Sequence, residues 1–132
     1  INDSHIKLYI KDTMRPILGI NDLCEAIRYI LASDEDKRGL YNLASFNKTA
    51  EQIAYEVANV MGVQVHEFEA DPTQIKNTKN QTKAYNFSIS TLKFRREFGF
   101  KFKDTVESLA TELKDRWNDM KKTDRSKVID YE

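Results

Sequence analysis

Apolar residues recur along this chain at two spacings, every second residue in short runs and every third or fourth residue in longer ones. The first spacing predicts strands and the second predicts helices, because side chains repeat their direction with those periods. Strands are predicted at residues 6–10, 16–20, 40–44, 63–68 and 86–89. Helices are predicted at residues 22–31, 50–61, 90–98 and 104–120. The alternation of the two element types predicts an α/β fold.

Residues at the predicted helix ends support these boundaries. A capping box pairs a polar side chain at the helix start with Glu or Gln three residues later, so that each side chain satisfies a backbone amide. Pairs with this spacing are Asp22 with Glu25, Thr49 with Gln52, and Asp104 with Glu107. Gly62 and Gly99 follow predicted helices, at positions where a left-handed residue commonly ends a helix.

The chain divides into one domain and a tail. Its 132 residues, of which 40% are hydrophobic, are enough to bury a core of their own. We therefore assign residues 1–120 to a single domain and the mostly polar residues 121–132 to a tail. Within the domain, residues 69–84 form a long polar loop, and such loops in compact domains are usually functional or disordered.

Charge and composition exclude several classes of function. The 21 basic and 21 acidic side chains cancel, which argues against binding to nucleic acid or to an anionic membrane. No apolar run approaches the roughly 20 residues needed to cross a bilayer, and no signal-peptide pattern opens the chain. Cys24 is the only cysteine and has apolar neighbours, which predicts a buried, inert thiol in a reducing compartment. The expected location is therefore cytoplasmic.

Arg15 is the strongest candidate for a binding residue. It stands directly before a predicted strand, where its planar guanidinium could donate two parallel charge-assisted bonds to phosphate oxygens. The alternative is a surface ion pair with Asp12 or Asp22. His5 and His66 lack the local spacing of metal ligands, so no metal site is predicted.

Three segments resemble one enzyme family. They are residues 15–27 (RPILGINDLCEAI), 39–45 (GLYNLAS) and 93–100 (KFRREFGF). Together they resemble the carboxyl-terminal, substrate-binding part of the extended short-chain dehydrogenase/reductase family, the NAD-dependent epimerases and dehydratases of nucleotide sugars. The resemblance covers roughly residues 7–117. It implies that Arg15 faces the diphosphate of the sugar nucleotide.

The chain also departs from that family. Its four glycines are too widely scattered to form the phosphate-cradling loop of a dinucleotide site. No tyrosine has a lysine four residues later, so the family's catalytic pair is missing and no catalytic residue is assigned. Where family members carry a second arginine in an Arg-Pro-Gly-Asp type motif, this chain has Lys79-Asn80-Gln81-Thr82-Lys83. Lys79 and Lys83 are the candidates for a second phosphate contact.

By resemblance, the chain is the nucleotide-sugar-binding part of an NAD(P)-dependent epimerase/dehydratase-like enzyme. An amino-terminal Rossmann domain of the full-length parent would bind NAD or NADP, and this chain alone would bind no cofactor and be inactive. The first residue is Ile1 rather than Met, which fits a fragment of a longer enzyme. An apolar stripe on the last predicted helix indicates contact with the missing part or a homodimer. The alternative is a noncatalytic protein-binding or assembly module on the same fold.

Overall fold

The structure, a computed structural model, describes residues 4–34, 36–69 and 86–120. Within these ranges the strands are β1 (His5–Leu8), β2 (Met14–Ile17), β3 (Phe46–Thr49) and β4 (Gln64–Glu67). The helices are α1 (Ile20–Leu31), α2 (Ala50–Met61), α3 (Leu92–Phe98) and α4 (Val106–Met120). Strands and helices alternate through much of the chain, which confirms the predicted α/β class. The predicted tail lies outside the described residues, so the division into domain and tail stays a prediction.

The described strands form two separate pairs. β1 and β4 run parallel, with Ile6 opposite Val65. β2 and β3 run antiparallel, with Arg15 opposite Lys48. Parallel strands need a crossover connection, and α2 forms part of it, since it lies between β3 and β4 in the chain and contacts β1, β3 and β4. Helix α2 therefore joins the two pairs of strands.

An aromatic cluster is the most deeply buried part of the described residues. Ala26 of α1 and Phe94 of α3 have no exposed surface, and Phe100 is nearly buried. The rings of Phe94 and Phe100 have centroids 5.3 Å apart, within the range of favourable aromatic pairs. Partly buried residues pack around these three: Tyr41, Leu43, Phe98 and Phe102. This cluster fixes α1 against α3 and the segment that follows α3.

Helices α2 and α4 pack against each other. Ala54 and Ala58 are buried on α2, and Val106 and Ala110 are buried on α4. Residues four apart lie on one face of a helix, so each helix turns one face inward, as predicted from its apolar spacing.

The predicted capping box at the start of α2 is confirmed. Thr49 Oγ1 accepts from the Gln52 amide at 3.2 Å, and Gln52 Oε1 accepts from the Thr49 amide at 3.0 Å. Gly62 and Gly99 follow α2 and α3 with φ angles of 69° and 61°, which also confirms the predicted helix ends. Glycine has no Cβ and adopts this left-handed conformation without strain.

The other two predicted capping boxes are wrong. Helix α1 begins at Ile20 and has no side-chain cap, so Asp22 lies inside its first turn. Helix α4 is capped by reciprocal bonds between Thr105 and Ser108, one residue later than predicted. The carboxylates of Asp22 and Asp104 bond more distant backbone instead. Local spacing alone did not reveal these distant partners.

The predicted strands at 40–44 and 86–89 are also wrong, since neither segment pairs with a described strand. Burial nevertheless alternates over residues 41–43, because Tyr41 and Leu43 pack on the aromatic cluster while Asn42 is exposed. A period of two decides which side chains face inward. A strand also requires a neighbouring backbone to complete its hydrogen bonds.

The apolar face of α1 is only partly covered. Ala26 is buried, but Ile20, Ile27 and Leu31 are 54%, 47% and 79% exposed. Cys24 is exposed as well, so the predicted buried thiol is wrong. The helix turns its Ala26 side, and not its Cys24 side, toward the aromatic cluster. No helix in the described ranges has both the length and the apolar character needed to cross a membrane.

Candidate functional site

Arg15 lies within β2 and is half-buried, whereas the sequence placed it ahead of a strand. Its Nη1 donates to the carbonyl oxygen of Met14 at 3.4 Å. In the antiparallel register with β3, the residue directly opposite is Lys48. Side chains of directly opposed residues share one face of a strand pair. The structure therefore places a second cation beside Arg15, at a position that sequence reasoning missed.

A carboxylate and an aromatic ring hold Lys48 in place. Its Nζ lies 2.5 and 2.6 Å from the two carboxylate oxygens of Glu56 on α2. The ammonium also lies 5.6 Å from the ring centroid of Phe46, within the range of a cation–π contact. The side chains of Lys48 and Glu56 are 29% and 38% exposed, so water screens the pair only in part. We refer to Arg15, Lys48 and Glu56 as the cation cluster.

Hydrogen bonds at both ends hold β2 and β3 in this register. At one end, the Gly19 amide donates to Ser45 Oγ at 2.9 Å, and the Ser45 amide donates to the Ile17 carbonyl oxygen at 2.8 Å. At the other end, the Ala50 amide donates to the Thr13 carbonyl oxygen at 2.9 Å. Arg15 and Lys48 therefore stand on paired backbone, which positions side chains more accurately than a loop does.

The segment 86–89 lies against these strands through side-chain amides. Asn47 donates from Nδ2 to the Ile89 carbonyl oxygen at 3.0 Å and accepts from the Ile89 amide at 2.9 Å. Adjacent residues of a strand point to opposite faces, so Asn47 faces away from Lys48. The segment that Asn47 holds is therefore on the opposite side from the cation cluster.

Two buried aspartates fix the start of α1, shortly after β2. The Asp22 carboxylate accepts from the amides of Lys103 and Asp104 at 2.9 to 3.1 Å. The Asp104 carboxylate accepts in return from the Asp22 amide at 3.0 Å. Buried carboxylates require such donors, because burial without them is costly. Gly19 packs so closely that a Cβ there would lie 2.0 Å from Asp104 Oδ2. Asp22 therefore bonds backbone amides, although not within a capping box.

The segments 39–45 and 93–100 meet around Tyr41. Its hydroxyl donates to the carboxylate of Glu97, and this hydrogen bond raises the pKa of Tyr41 above its usual value. The Nζ of Lys93 lies 4.5 Å from the centroid of the Tyr41 ring. These contacts join two of the segments that carry the family resemblance. Asn42, in the middle of the strand predicted at residues 40–44, is exposed between them.

A second polar group lies where β1 and β4 end. Glu67 accepts from the Tyr55 hydroxyl at 3.0 Å and from Lys11 Nζ at 3.2 Å. These bonds, led by the one from Tyr55, lower the pKa of Glu67, and Glu67 raises the pKa of both donors. The adjoining groove of about 610 Å³ is lined by Tyr9 and Phe68, whose stacked rings have centroids 5.4 Å apart. Its lining holds more carboxylates than cations, which does not suit a diphosphate.

Other residues singled out in the sequence have different outcomes. Lys79 and Lys83 lie outside the described residues, so their phosphate contact stays a prediction. Trp117, on the apolar stripe of the last helix, is about half exposed. The rings of His5 and His66 stack with centroids 4.5 Å apart. Within the described ranges, no group of three or more His, Cys, Asp or Glu side chains is arranged to hold a metal ion.

Known structures share this fold within larger enzymes. RMD from Pseudomonas aeruginosa, solved with NADPH, gives a TM-score of 0.65 over 87% of this chain at 15% identity. The dTDP-glucose 4,6-dehydratase of Bacillus anthracis, in complex with NAD, gives 0.62 over 89% at 18% identity. A GalE-like L-threonine dehydrogenase from Cupriavidus necator gives 0.60 over 86% at 19% identity. No family model and no curated protein matches the chain.

The chain spans well under half of these enzymes. It covers 35% of the RMD chain, 35% of the dehydratase chain and 41% of the L-threonine dehydrogenase chain. Similarity at these identities shows a shared fold and does not by itself transfer an activity. This chain therefore has the α/β fold of one part of such dehydrogenases and dehydratases.

Proposed function

We propose that this chain is the carboxyl-terminal, substrate-binding part of an NAD(P)-dependent epimerase/dehydratase-like enzyme, in which Arg15 binds the diphosphate of a nucleotide sugar. The observation that carries the proposal is the position of Arg15, on β2 beside Lys48 and shortly ahead of the fixed start of α1. A guanidinium can donate two parallel bonds to phosphate oxygens. The shared fold and the motif around Arg15 both support this role.

In this proposal the chain binds substrate, and the rest of the enzyme carries out the redox chemistry. A dinucleotide site needs closely spaced glycines at a helix amino terminus, and the four glycines of this chain are widely spaced. An amino-terminal Rossmann domain would bind NAD or NADP and supply the tyrosine and lysine that act on the sugar hydroxyl. Binding energy from the remote diphosphate would hold the sugar in the reactive orientation.

The choice of substrate class rests on the motif around Arg15. One of the compared enzymes is named for dTDP-glucose and another for L-threonine. The shared fold is therefore compatible with either a nucleotide sugar or an amino acid as substrate. A single arginine suits a carboxylate as well as a phosphate. The motif at residues 15–27 resembles that of the nucleotide-sugar epimerases and dehydratases, in which the arginine faces a diphosphate. We therefore favour a nucleotide sugar over an amino acid.

Substitution of Arg15 in the full-length parent tests the proposal. Arg15→Ala removes a charge-assisted contact of about 1.5–3 kcal/mol, which corresponds to a rise of about tenfold to a hundredfold in the dissociation constant of the nucleotide sugar. Arg15→Lys should recover only part of the loss, because lysine lacks the planar fork. NAD affinity is the control and should not change. Equal nucleotide-sugar affinities in all three proteins would contradict the proposal.

A noncatalytic protein-binding or assembly module is the alternative, and the exposed face of α1 favours it. Ile20, Ile27 and Leu31 lie on one side of this helix and are largely exposed, as at many protein interfaces. Such a module does not need Arg15. Nucleotide-sugar binding that depends on Arg15 would contradict the alternative that the chain is a noncatalytic module. Self-association that Leu31→Glu abolishes, in a protein that binds no nucleotide sugar, would support it.

A further inference from the structure

We infer that residues 40–44 are a β-strand that pairs with a strand in the amino-terminal part of the parent enzyme, and that an exposed apolar stripe of α1 packs on the same partner. The inference rests on the proposed function for the existence of that part, and it adds the surface on which the two parts join. The occupant is an edge strand of a sheet, bound through its backbone amides and carbonyl oxygens.

The backbone of residues 41–44 is the first reason. None of the four is proline, so each carries one amide donor and one carbonyl acceptor. Within the described ranges, no hydrogen bond joins the backbone of these residues to another residue, and pairing begins only at Ser45, whose amide donates to the Ile17 carbonyl oxygen. Ala44 is 3% exposed, so water has little access to it. Buried backbone groups nearly always have a partner, and here that partner lies outside the described residues.

The position of this segment in the fold is the second reason. Tyr41 and Leu43 pack on the aromatic cluster, to which α1 and α3 contribute Ala26 and Phe94. Helices therefore cover one side of the segment, as they cover a strand of an α/β sheet. Leu40 alternates to the other side and is 87% exposed. A strand that has its helix layer but no neighbouring strand lacks the rest of its sheet.

The exposed side of α1 is the third reason. Four apolar residues follow one another at spacings of four, three and four, which places them on one side of the helix: Ile20, Cys24, Ile27 and Leu31. We call them the α1 stripe, and all four are exposed. A helix with its side chains is about 10–12 Å wide, whereas neighbouring strands are about 4.8 Å apart. Helix α1 can therefore cover residues 40–44 with its Ala26 side and an added strand with the α1 stripe.

The length of the compared enzymes identifies the occupant. More than half of each of those chains lies beyond the part that matches this one. In the proposed function that remainder contains a Rossmann sheet. An open sheet ends in an edge strand with unpaired amides and carbonyl oxygens. Such a strand would complete the hydrogen bonds of residues 41–44 and bring apolar side chains beneath the α1 stripe.

Amide hydrogen exchange, resolved by residue with NMR spectroscopy, tests the pairing in the full-length parent and in the 132-residue chain. Adjacent amides of a strand point to opposite edges. One added strand should therefore protect alternate amides among residues 41–44 of the parent, with exchange at least about a hundredfold slower than in the isolated chain. The amides of Ala54 and Ala58, inside α2, are the control and should be protected in both proteins. Four unprotected amides in the parent would overturn the inference.

Substitution in the α1 stripe tests the second half of the surface. Leu31→Glu should leave the urea midpoint of the isolated chain nearly unchanged, because Leu31 is 79% exposed. In the parent it places a carboxylate against apolar side chains, and exchange at residues 41–44 should become about tenfold faster or more. Leu113→Glu is the matched control, since Leu113 is 65% exposed on α4, and it should leave these rates unchanged. If Leu31→Glu prevents the parent from folding, Leu31→Ala and Leu113→Ala give the same comparison. Equal rates in the two variants would overturn the inference.

The isolated chain separates the possible occupants. Protection of residues 41–44 that increases with its concentration would identify a second copy as the partner and would overturn the inference. Protection that does not depend on concentration would place the partner within the 132 residues and would overturn it as well.

The proposed function is decided by a different measurement, the nucleotide-sugar affinity of Arg15→Ala in the parent. Unprotected amides in a parent whose affinity depends on Arg15 would overturn the strand pairing alone. Protected amides in a parent whose affinity does not depend on Arg15 would support the pairing and contradict the role of Arg15 in the proposed function.

Discussion

Replacement of Asp22 by alanine tests whether the two buried aspartates hold the start of α1. Asp22 is 3% exposed and accepts from the amides of Lys103 and Asp104. Alanine leaves both amides without these acceptors. A buried donor that loses its partner costs about 1–3 kcal/mol, and the part-buried Lys103 amide should cost somewhat less than the buried Asp104 amide, so together they predict a loss of about 2–5 kcal/mol in the free energy of unfolding. That is a large share of the roughly 5–15 kcal/mol that stabilises a typical domain.

The assay is urea unfolding followed by far-ultraviolet circular dichroism, with the transition midpoint compared at constant slope. Asp36→Ala is the matched control, because Asp36 accepts from Arg38 Nε at 2.8 Å on an exposed surface. Exposed ion pairs contribute about 0–1 kcal/mol. Asp22→Asn keeps one acceptor oxygen and should fall between the two. A stability of Asp22→Ala within about 0.5 kcal/mol of the control would refute the reasoning.

Two further predictions concern packing and pH. Gly19 has φ −73° and ψ 149°, which alanine also adopts, so Gly19→Ala should cost about 1–3 kcal/mol through overlap with Asp104 alone. Gly19→Ala should cost less in a protein that also carries Asp104→Ala. Equal losses of unfolding free energy in the wild-type and Asp104→Ala proteins, measured by urea unfolding, would show that overlap with Asp104 is not the cause. The hydrogen bond from Tyr55 lowers the pKa of Glu67, so the ionised form stabilises the fold. This contribution is full above the ordinary carboxyl pKa of about 4–5 and is lost as the pH falls through the lowered value. The stability difference between wild type and Glu67→Gln should therefore be constant near neutral pH and shrink in acid, and a difference independent of pH would count against the assignment.

Features that depend on neighbours in the sequence were predictable from the sequence. The capping box of Thr49 and Gln52 joins residues three apart, and the left-handed end at Gly62 follows from a single residue type. Helix α1 was predicted from its apolar period, and it ends at Leu31 as expected. Such features need no knowledge of the rest of the fold, because their partners lie within one helical turn.

The sequence by itself determined the alternation of strands and helices, and the tertiary structure alone decided which distant groups meet. Asp22 fits a capping box by spacing, but it bonds residues 103 and 104, which the fold brings to α1. Residues 40–44 alternate like a strand but lack a described partner strand, and Cys24 has apolar neighbours but lies on the uncovered side of its helix. Lys48 faces Arg15 only because two strands far apart in the chain pair in one register. Periodicity encodes the face of each element, whereas burial and pairing depend on contacts between segments that the local pattern does not specify.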